Sequence, residues 1–295
     1  MTAKVLSWGL QQLHEGHRVV VASVLQVKGS VPGKVGARLA LSQGEIEPFG
    51  TVGGAGLEMN VIKRCRELLE AEHSAYGELH TYGLNKGAKG FEVTPLDSLC
   101  GGQVTISFEV LVPSPHILLL GGGHCAQALA PHITLLGWEY SVHDSRYDYA
   151  NKDLFGDAQE VHCSSVEDYF ATLSGAHISR YSDILLLGHD WQEDETRLIT
   201  LLSTLQRFEQ ETDALFTRPH IGVIGSRSKW TAFEKKCQAH GIQQTLIDRV
   251  QCPIGLTVGA ESPEEIAIAV LADVLSRYKK VEPSSASWRD TYRST

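Results

Sequence analysis

Gly121-Gly122-Gly123-His124-Cys125-Ala126 directly follows the apolar run Ile117-Leu118-Leu119-Leu120. That spacing fits the G-x-G-x-x-G/A turn, in which a strand ends and a helix opens onto a phosphate. Gly121 would make the tight turn, Gly123 would let backbone approach the anion, and Ala126 would let helix and sheet pack closely. Asp144 ends the next apolar run, 21 residues after Gly123, where a ribose-binding carboxylate is expected. Arg146 would meet a further phosphate or pair with Asp148. A second segment, His220-Ile221-Gly222-Val223-Ile224-Gly225-Ser226-Arg227-Ser228-Lys229, repeats the pattern of buried strand, small residues and cations. Gly225, Ser226, Arg227 and Lys229 suit a phosphate or pyrophosphate, and Ser226 or Ser228 would otherwise serve as a helix cap. His189 and Asp190 follow a third apolar run and are candidates for ligand contact, with proton transfer the less supported role.

The N-terminal part offers glycine loops and one thiol. Gly50-Thr51-Val52-Gly53-Gly54-Ala55-Gly56 precedes a helical pattern, so Gly53 and Gly54 can turn backbone N–H groups toward an anion, with Glu58 one turn in. Cys100-Gly101-Gly102 leaves a sulfur accessible between a loop and a strand, a candidate for sulfur chemistry or ligand contact against the alternative of an inert thiol. Gly29-Ser30-Val31-Pro32-Gly33-Lys34 is one residue short of a phosphate-binding P-loop, and Val35 replaces the hydroxyl that would hold magnesium. No Ser-His-Asp triad, nucleophile elbow or metal-spaced histidine cluster is visible.

The elements that must position these residues fall into two halves, separated at Pro113-Ser114-Pro115, where two prolines end any strand. Residues 1–112 read as a smaller α+β domain: a helix over 3–15, strands over 18–25 and 37–41, a helix over 57–72, loop and edge strand over 77–94, and a strand over 103–112. Residues 116–280 alternate apolar runs with helical patterns. Strands are expected at 116–120, 139–143, 183–187, 220–224 and 243–247, and helices at 124–136, 165–173, 193–209, 229–240 and 263–277. This rhythm specifies an α/β fold with a Rossmann-like, doubly wound parallel sheet. Pro131 should kink the first of these helices or weaken it. Ser262, Pro263 and Glu265 spell a capped start for the last one, and 281–295 read as a loose tail.

Composition narrows the function classes. The 295 residues carry 26 Lys+Arg and 35 Asp+Glu, a net charge of −9, which argues against a nucleic-acid surface. No apolar stretch approaches the length of a membrane span, and no secretory leader is visible before Gln11. The six cysteines are scattered without a Cys-x-x-Cys pair, which disfavours disulfides and structural zinc and points to the cytoplasm. A homodimer is the default assembly for a chain of this kind.

Taken in order, Gly29-Ser30-x-Pro32, Gly36-Ala37-Arg38, Gly50-Thr51-Val52-Gly53-Gly54 with Glu58, Cys100-Gly101-Gly102 with Glu109, Gly121-x-Gly123-His124, Asp144-x-Arg146, His189-Asp190, Gly225-Ser226-Arg227-x-Lys229 and Pro253-Ile254-Gly255-Leu256 resemble the XdhC/CoxF family. Its members are accessory proteins of xanthine dehydrogenase and related molybdenum hydroxylases. The resemblance covers about residues 5–277; Gly-Gly-Gly-His stands where relatives more often have Gly-Ala-Gly-His. It implies a maturation chaperone that binds the molybdenum cofactor (molybdopterin), holds it while a cysteine desulfurase supplies sulfur, and passes it to the hydroxylase. In that reading the Gly121–Ala126 turn with Ser226, Arg227 and Lys229 cradles the cofactor's phosphate, and His124 and His189 meet the pterin or the metal's ligands. Cys100 and the 50–56 loop would cover the dithiolene end. Two other readings compete: an NAD(P)-dependent oxidoreductase with Asp144 on the ribose and His189 as acid/base, and a scaffold that docks a hydroxylase without a ligand.

Overall fold

The computed structural model describes residues 2–71, 75–84, 93–96, 101–188, 190–211 and 219–284. Two compact units divide between Ser114 and Pro115. Of the candidates above, Cys100 and His189 lie outside the described residues, as does the expected tail from 285 onward.

The first unit contains α1 (Thr2–His14), β1 (Val19–Lys28), β2 (Arg38–Ser42), β3 (Phe49–Gly50), α2 (Ala55–Glu70), β4 (Tyr76–Gly83), β5 (Val93–Pro95) and β6 (Gln103–Leu111). They form a mixed sheet in the order β3-β2-β1-β6-β4-β5. The pairs β1–β2, β1–β6 and β4–β6 are antiparallel, and β4–β5 is parallel. Apolar residues alternate along β1 and β6, so Val20, Ala22, Val24, Val104, Ile106 and Phe108 share one face. Val61, Cys65 and Leu68 of α2, at helical spacing, bury against that face. Desolvation in this core pushes the Cys65 thiol up to about 12, which keeps it protonated and unreactive. Val5 of α1 covers Val19, Val21 and Ala40 on the opposite face.

The second unit contains β7 (His116–Leu120), α3 (His124–Leu135), β8 (Glu139–Asp144), a single 3-10 turn at Tyr147–Tyr149, β9 (Glu160–Cys163), α4 (Val166–Thr172), α5 (Gly175–Ser179), β10 (Asp183–Leu186), α6 (Trp191–Glu211), β11 (His220–Val223), α7 (Arg227–Ala239), α8 (Gln244–Ile247), β12 (Val250–Gln251) and α9 (Pro263–Lys279). Its six strands are parallel in the order β12-β11-β10-β7-β8-β9. The winding reverses between β7 and β10, and such a reversal opens a crevice at the carboxyl ends of the two strands. Every residue of β7 and β10 is buried, as a strand covered on both faces requires. Helices α3 and α9 pack together, with Leu129, Ile133, Val270 and Val274 in one core with Ile117, Leu119 and Leu185 of the sheet.

Several expectations need correction. The run 243–247 is not a strand: Gln244–Ile247 is a short helix that buries Leu246 and Ile247, and the sixth strand is the two-residue β12. Short apolar runs do not distinguish the two states. The polar stretch expected as loop and edge strand contains β4, which pairs with β6 along all eight residues and with β5 over Thr81–Gly83 alone. Its outer half is exposed, which explains the polar composition. β9, a four-residue edge strand whose one aliphatic side chain is Val161, carried too little apolar signal to be read. Helix α3 runs through Pro131, which sits on its exposed side.

The Ser262–Glu265 capping box is formed in both directions, with Pro263 in the first turn. Replacing Ser262 by alanine will remove about 1 kcal/mol of stability, read as a lowered midpoint in urea. An unchanged midpoint would mean that packing against α3 alone sets the start of α9. Among the described residues, no helix is long and apolar enough to cross a membrane.

Candidate functional site

In the second unit, β7, β8, β10 and β11 end around the crevice. Gly121 N–H donates to the His143 carbonyl at 2.8 Å, and Leu187 N–H to that of Leu120 at 2.9 Å. Gly121 has φ 110°, open to glycine but strained for other residues. A Cβ here would also press on Gly188 at the end of β10. A Cβ on Gly122 would overlap the Tyr149 carbonyl. At Gly123 the backbone is extended, a Cβ would meet nothing within 4 Å beyond its own chain neighbours, and no side chain caps α3. The first N–H groups of α3 therefore open onto a cavity of about 440 Å³, lined by His124, Cys125, Arg146, Tyr149, Gly188 and Ile224 among others. A second cavity of about 420 Å³ also borders Ile224 and is lined by Gly225, Ser226, Pro253, Leu256 and the 257–260 segment, largely apolar. Both volumes are of the order of small-molecule sites, about 300–1,000 Å³.

Asp144 stands at the end of β8 as expected, but not as a ribose acceptor. It is fully buried, and its carboxylate accepts from Gly122 N–H at 2.9 Å, Arg146 N–H at 3.0 Å and the Arg146 guanidinium at 2.9 Å. Burial pushes its pKa up, but the Arg146 guanidinium and the two backbone donors outweigh this and hold the carboxyl at about 2. Arg146 pairs with Asp144 rather than Asp148, and its guanidinium lies 3.9 Å from the centre of the Tyr149 ring.

Lys229 is likewise not in the cradle expected of it. Its ammonium turns inward, 2.7 Å from Asp194 Oδ2 and 3.2 Å from the Ile224 carbonyl oxygen. Asp194 also accepts from Arg197 at 3.2 Å, Arg197 reaches Glu193 at 3.0 Å, and Glu193 accepts from Ser145 at the end of β8. Asp194 and Arg197 are fully buried, and sequence reading passed over both. An acid and a base at i, i+3 ordinarily read as a solvated helix face. A Cβ on Gly188 would overlap Asp194 Oδ1, so this glycine, directly before the candidates His189 and Asp190, was the available clue. Ser226 caps α7 by accepting from Lys229 N–H at 3.3 Å, and Arg227 is exposed in its first turn. Asp190 accepts from Glu193 N–H at 2.8 Å in the first turn of α6. Ala126 is buried in the core beneath the turn.

His143, one residue before Asp144, is buried with its ring stacked 4.3 Å from that of Tyr169 and Nε2 3.1 Å from the Ser164 carbonyl oxygen. Burial, with the Arg197 charge adding, lowers its pKa to about 4. The unfolded chain binds this proton near pH 6.5, so stability from His143 is complete above that pH and is lost as pH falls toward 4. Urea midpoints will decline over this window and decline less in His143→Phe; parallel declines would exclude His143 as the source.

In the first unit, three glycine loops close on one another. A Cβ on Gly53 would overlap the Gly33 backbone, Gly54 faces Pro32, and a Cβ on Gly102 would overlap the Lys28 and Ser30 carbonyls. Glu58 accepts from Val52 N–H at 3.1 Å and from the Thr51 hydroxyl, while Gly53 N–H donates to Thr51 Oγ1 at 3.2 Å. The anion in that loop is the Glu58 carboxylate itself, so the loop is not an open anion cradle.

Residues 117–274 match the family described as the XdhC Rossmann domain, and residues 12–83 that described as the XdhC and CoxI family. The uncharacterized protein YqeB of Escherichia coli (strain K12) is 27% identical over 257 residues, 86% of this chain and 42% of that protein. A probable xanthine dehydrogenase subunit from Bacillus subtilis (strain 168) is 28% identical over 182 residues, 61% of this chain and 48% of that protein. This chain spans under half the length of these curated relatives. A solved structure described as a xanthine dehydrogenase from Bacillus halodurans aligns over 96% of this chain and 98% of its own, at 16% identity and a TM-score of 0.47. A putative short chain dehydrogenase/reductase family oxidoreductase from Aeromonas hydrophila aligns over 58% of this chain and 94% of its own, at 16% identity and a TM-score of 0.32. With its Rossmann domain matched over more than half of the chain, this protein belongs to the XdhC family.

Proposed function

We propose that this chain is a maturation factor that carries the molybdenum cofactor as cargo, shelters it during sulfuration, and delivers it to a hydroxylase of the xanthine dehydrogenase type. The observation that carries this reading is the pair of neighbouring cavities at the strand ends. One combines an uncapped helix start with the Arg146 guanidinium, and the other is largely apolar. Molybdopterin joins one phosphate to a planar pterin, which needs an anion site beside an apolar slot. Further support comes from family membership and from the Bacillus subtilis relative named for xanthine dehydrogenase. The proposed partners are the client hydroxylase and a cysteine desulfurase as sulfur donor, in the cytoplasm, with the chain acting as a homodimer and without turnover of its own. Ser226, Arg227 and His124 remain the proposed polar contacts, with Gly225 in the wall. An NAD-dependent oxidoreductase is less well supported, because Asp144 has its oxygens engaged by Gly122 and Arg146.

Transfer is the test. The chain loaded with sulfurated cofactor will restore activity to the apo-hydroxylase faster than an equal amount of free cofactor. Equal recovery from free cofactor would overturn the delivery role.

A further inference from the structure

We propose that the cavity at the Gly121–Ala126 turn is a phosphomonoester site that rejects a ribose diol, with Arg146 as its specificity-determining residue. In a Rossmann fold the acidic residue ending the second strand ordinarily accepts from the 2′- and 3′-hydroxyls of a ribose. Here Asp144 is fully buried and receives four donors from Gly122 and Arg146. A diol entering the cavity would have to displace a bidentate guanidinium from a buried carboxylate, leaving that charge without its cation.

The same pair presents Arg146 to the cavity. Its side chain is 34% exposed and lines the wall near Gly123, while the Asp144 carboxylate beneath is inaccessible. The guanidinium is held on two sides, by Asp144 and by the Tyr149 ring. The 147–149 turn is held in its turn by the close approach of Gly122 to the Tyr149 carbonyl. A cation fixed in this way is organised for a dianionic phosphate in advance, because little side-chain freedom is left to lose on binding. The ligand class is therefore a phosphate monoester on a larger body. The pterin phosphate of the proposed cargo and the 2′-phosphate of a nicotinamide dinucleotide share this chemistry. The inference deepens the proposed function and rests on the same cavity.

The test titrates the full-length chain with NADP⁺, NAD⁺, molybdopterin and dephosphorylated molybdopterin. Within each pair that binds, the phosphorylated ligand will bind at least tenfold tighter, and Arg146→Ser will abolish the difference. With the guanidinium gone, Asp144 is released to a diol, so NAD⁺ binding to Arg146→Ser will tighten. Arg146→Lys, which keeps charge but not the planar fork, will fall between the two and guards against misfolding of the serine variant. Equal affinity within both pairs, a preference for the unphosphorylated member, or no binding of either phosphorylated ligand would overturn the inference. A phosphate preference seen with NADP⁺ but no pterin binding would leave the inference standing and remove the cargo reading. Pterin binding indifferent to the phosphate, with no preference for NADP⁺ over NAD⁺, would do the reverse.

Discussion

Asp194→Ala will cost the second unit about 3–5 kcal/mol. Asp194 is fully buried in the first turn of α6 and holds two cations, Lys229 at 2.7 Å and Arg197 at 3.2 Å. Removing it strands an ammonium that is 12% exposed and leaves Arg197, 1% exposed, to pair with Glu193 alone among the described carboxylates. Neither cation can regain water without opening the strand-end loops. The exposed pair Lys236–Glu195, at 3.4 Å, supplies the contrast: Lys236→Ala will cost well under about 1 kcal/mol. Urea unfolding of both variants, followed by tryptophan fluorescence and circular dichroism, makes the comparison. A loss below about 1 kcal/mol for Asp194→Ala would mean that the network is solvated and does not brace the crevice.

Gly123→Asp is the second, and its two readouts should move in opposite directions. Gly123 is the uncapped residue before α3, its backbone is already extended, and a Cβ there meets nothing within 4 Å. An aspartate will fit and accept from the N–H groups of the first turn, so thermal stability will hold or rise slightly. The same carboxylate then occupies the anion's place and repels it. Affinity for a phosphorylated ligand will fall about a hundredfold, or about 2.8 kcal/mol. Unchanged affinity in a folded Gly123→Asp protein would move the ligand away from this helix.

The parallel-sheet unit was legible because its central strands are fully buried: Ile117–Leu120 and Ile184–Leu187 are continuous apolar runs, and Ser262 to Glu265 announce a helix in their own side chains. Legibility failed where a strand is short or polar, as in Val250–Gln251, Glu160–Cys163 and the outer half of β4. The position of the crevice followed from the order of strands and helices. What its charged residues do there did not. Asp144 and Lys229 stand where sequence spacing puts them, yet Asp144 is held by Arg146 two residues on and by Gly122 N–H from the β7 turn, and Lys229 is drawn inward by Asp194 on α6. Spacing gives a residue's address on the fold; whether a charge faces the ligand or the core depends on partners such as Asp194, 35 residues before Lys229.

Native mass spectrometry of the full chain with molybdopterin, and with NAD⁺ as competitor, asks directly whether the crevice holds the proposed cargo. The expected result is one molybdopterin per chain, retained in excess NAD⁺ and absent from Gly123→Asp. No molybdopterin on the wild-type chain, with NAD⁺ bound equally by wild type and Gly123→Asp, would contradict it.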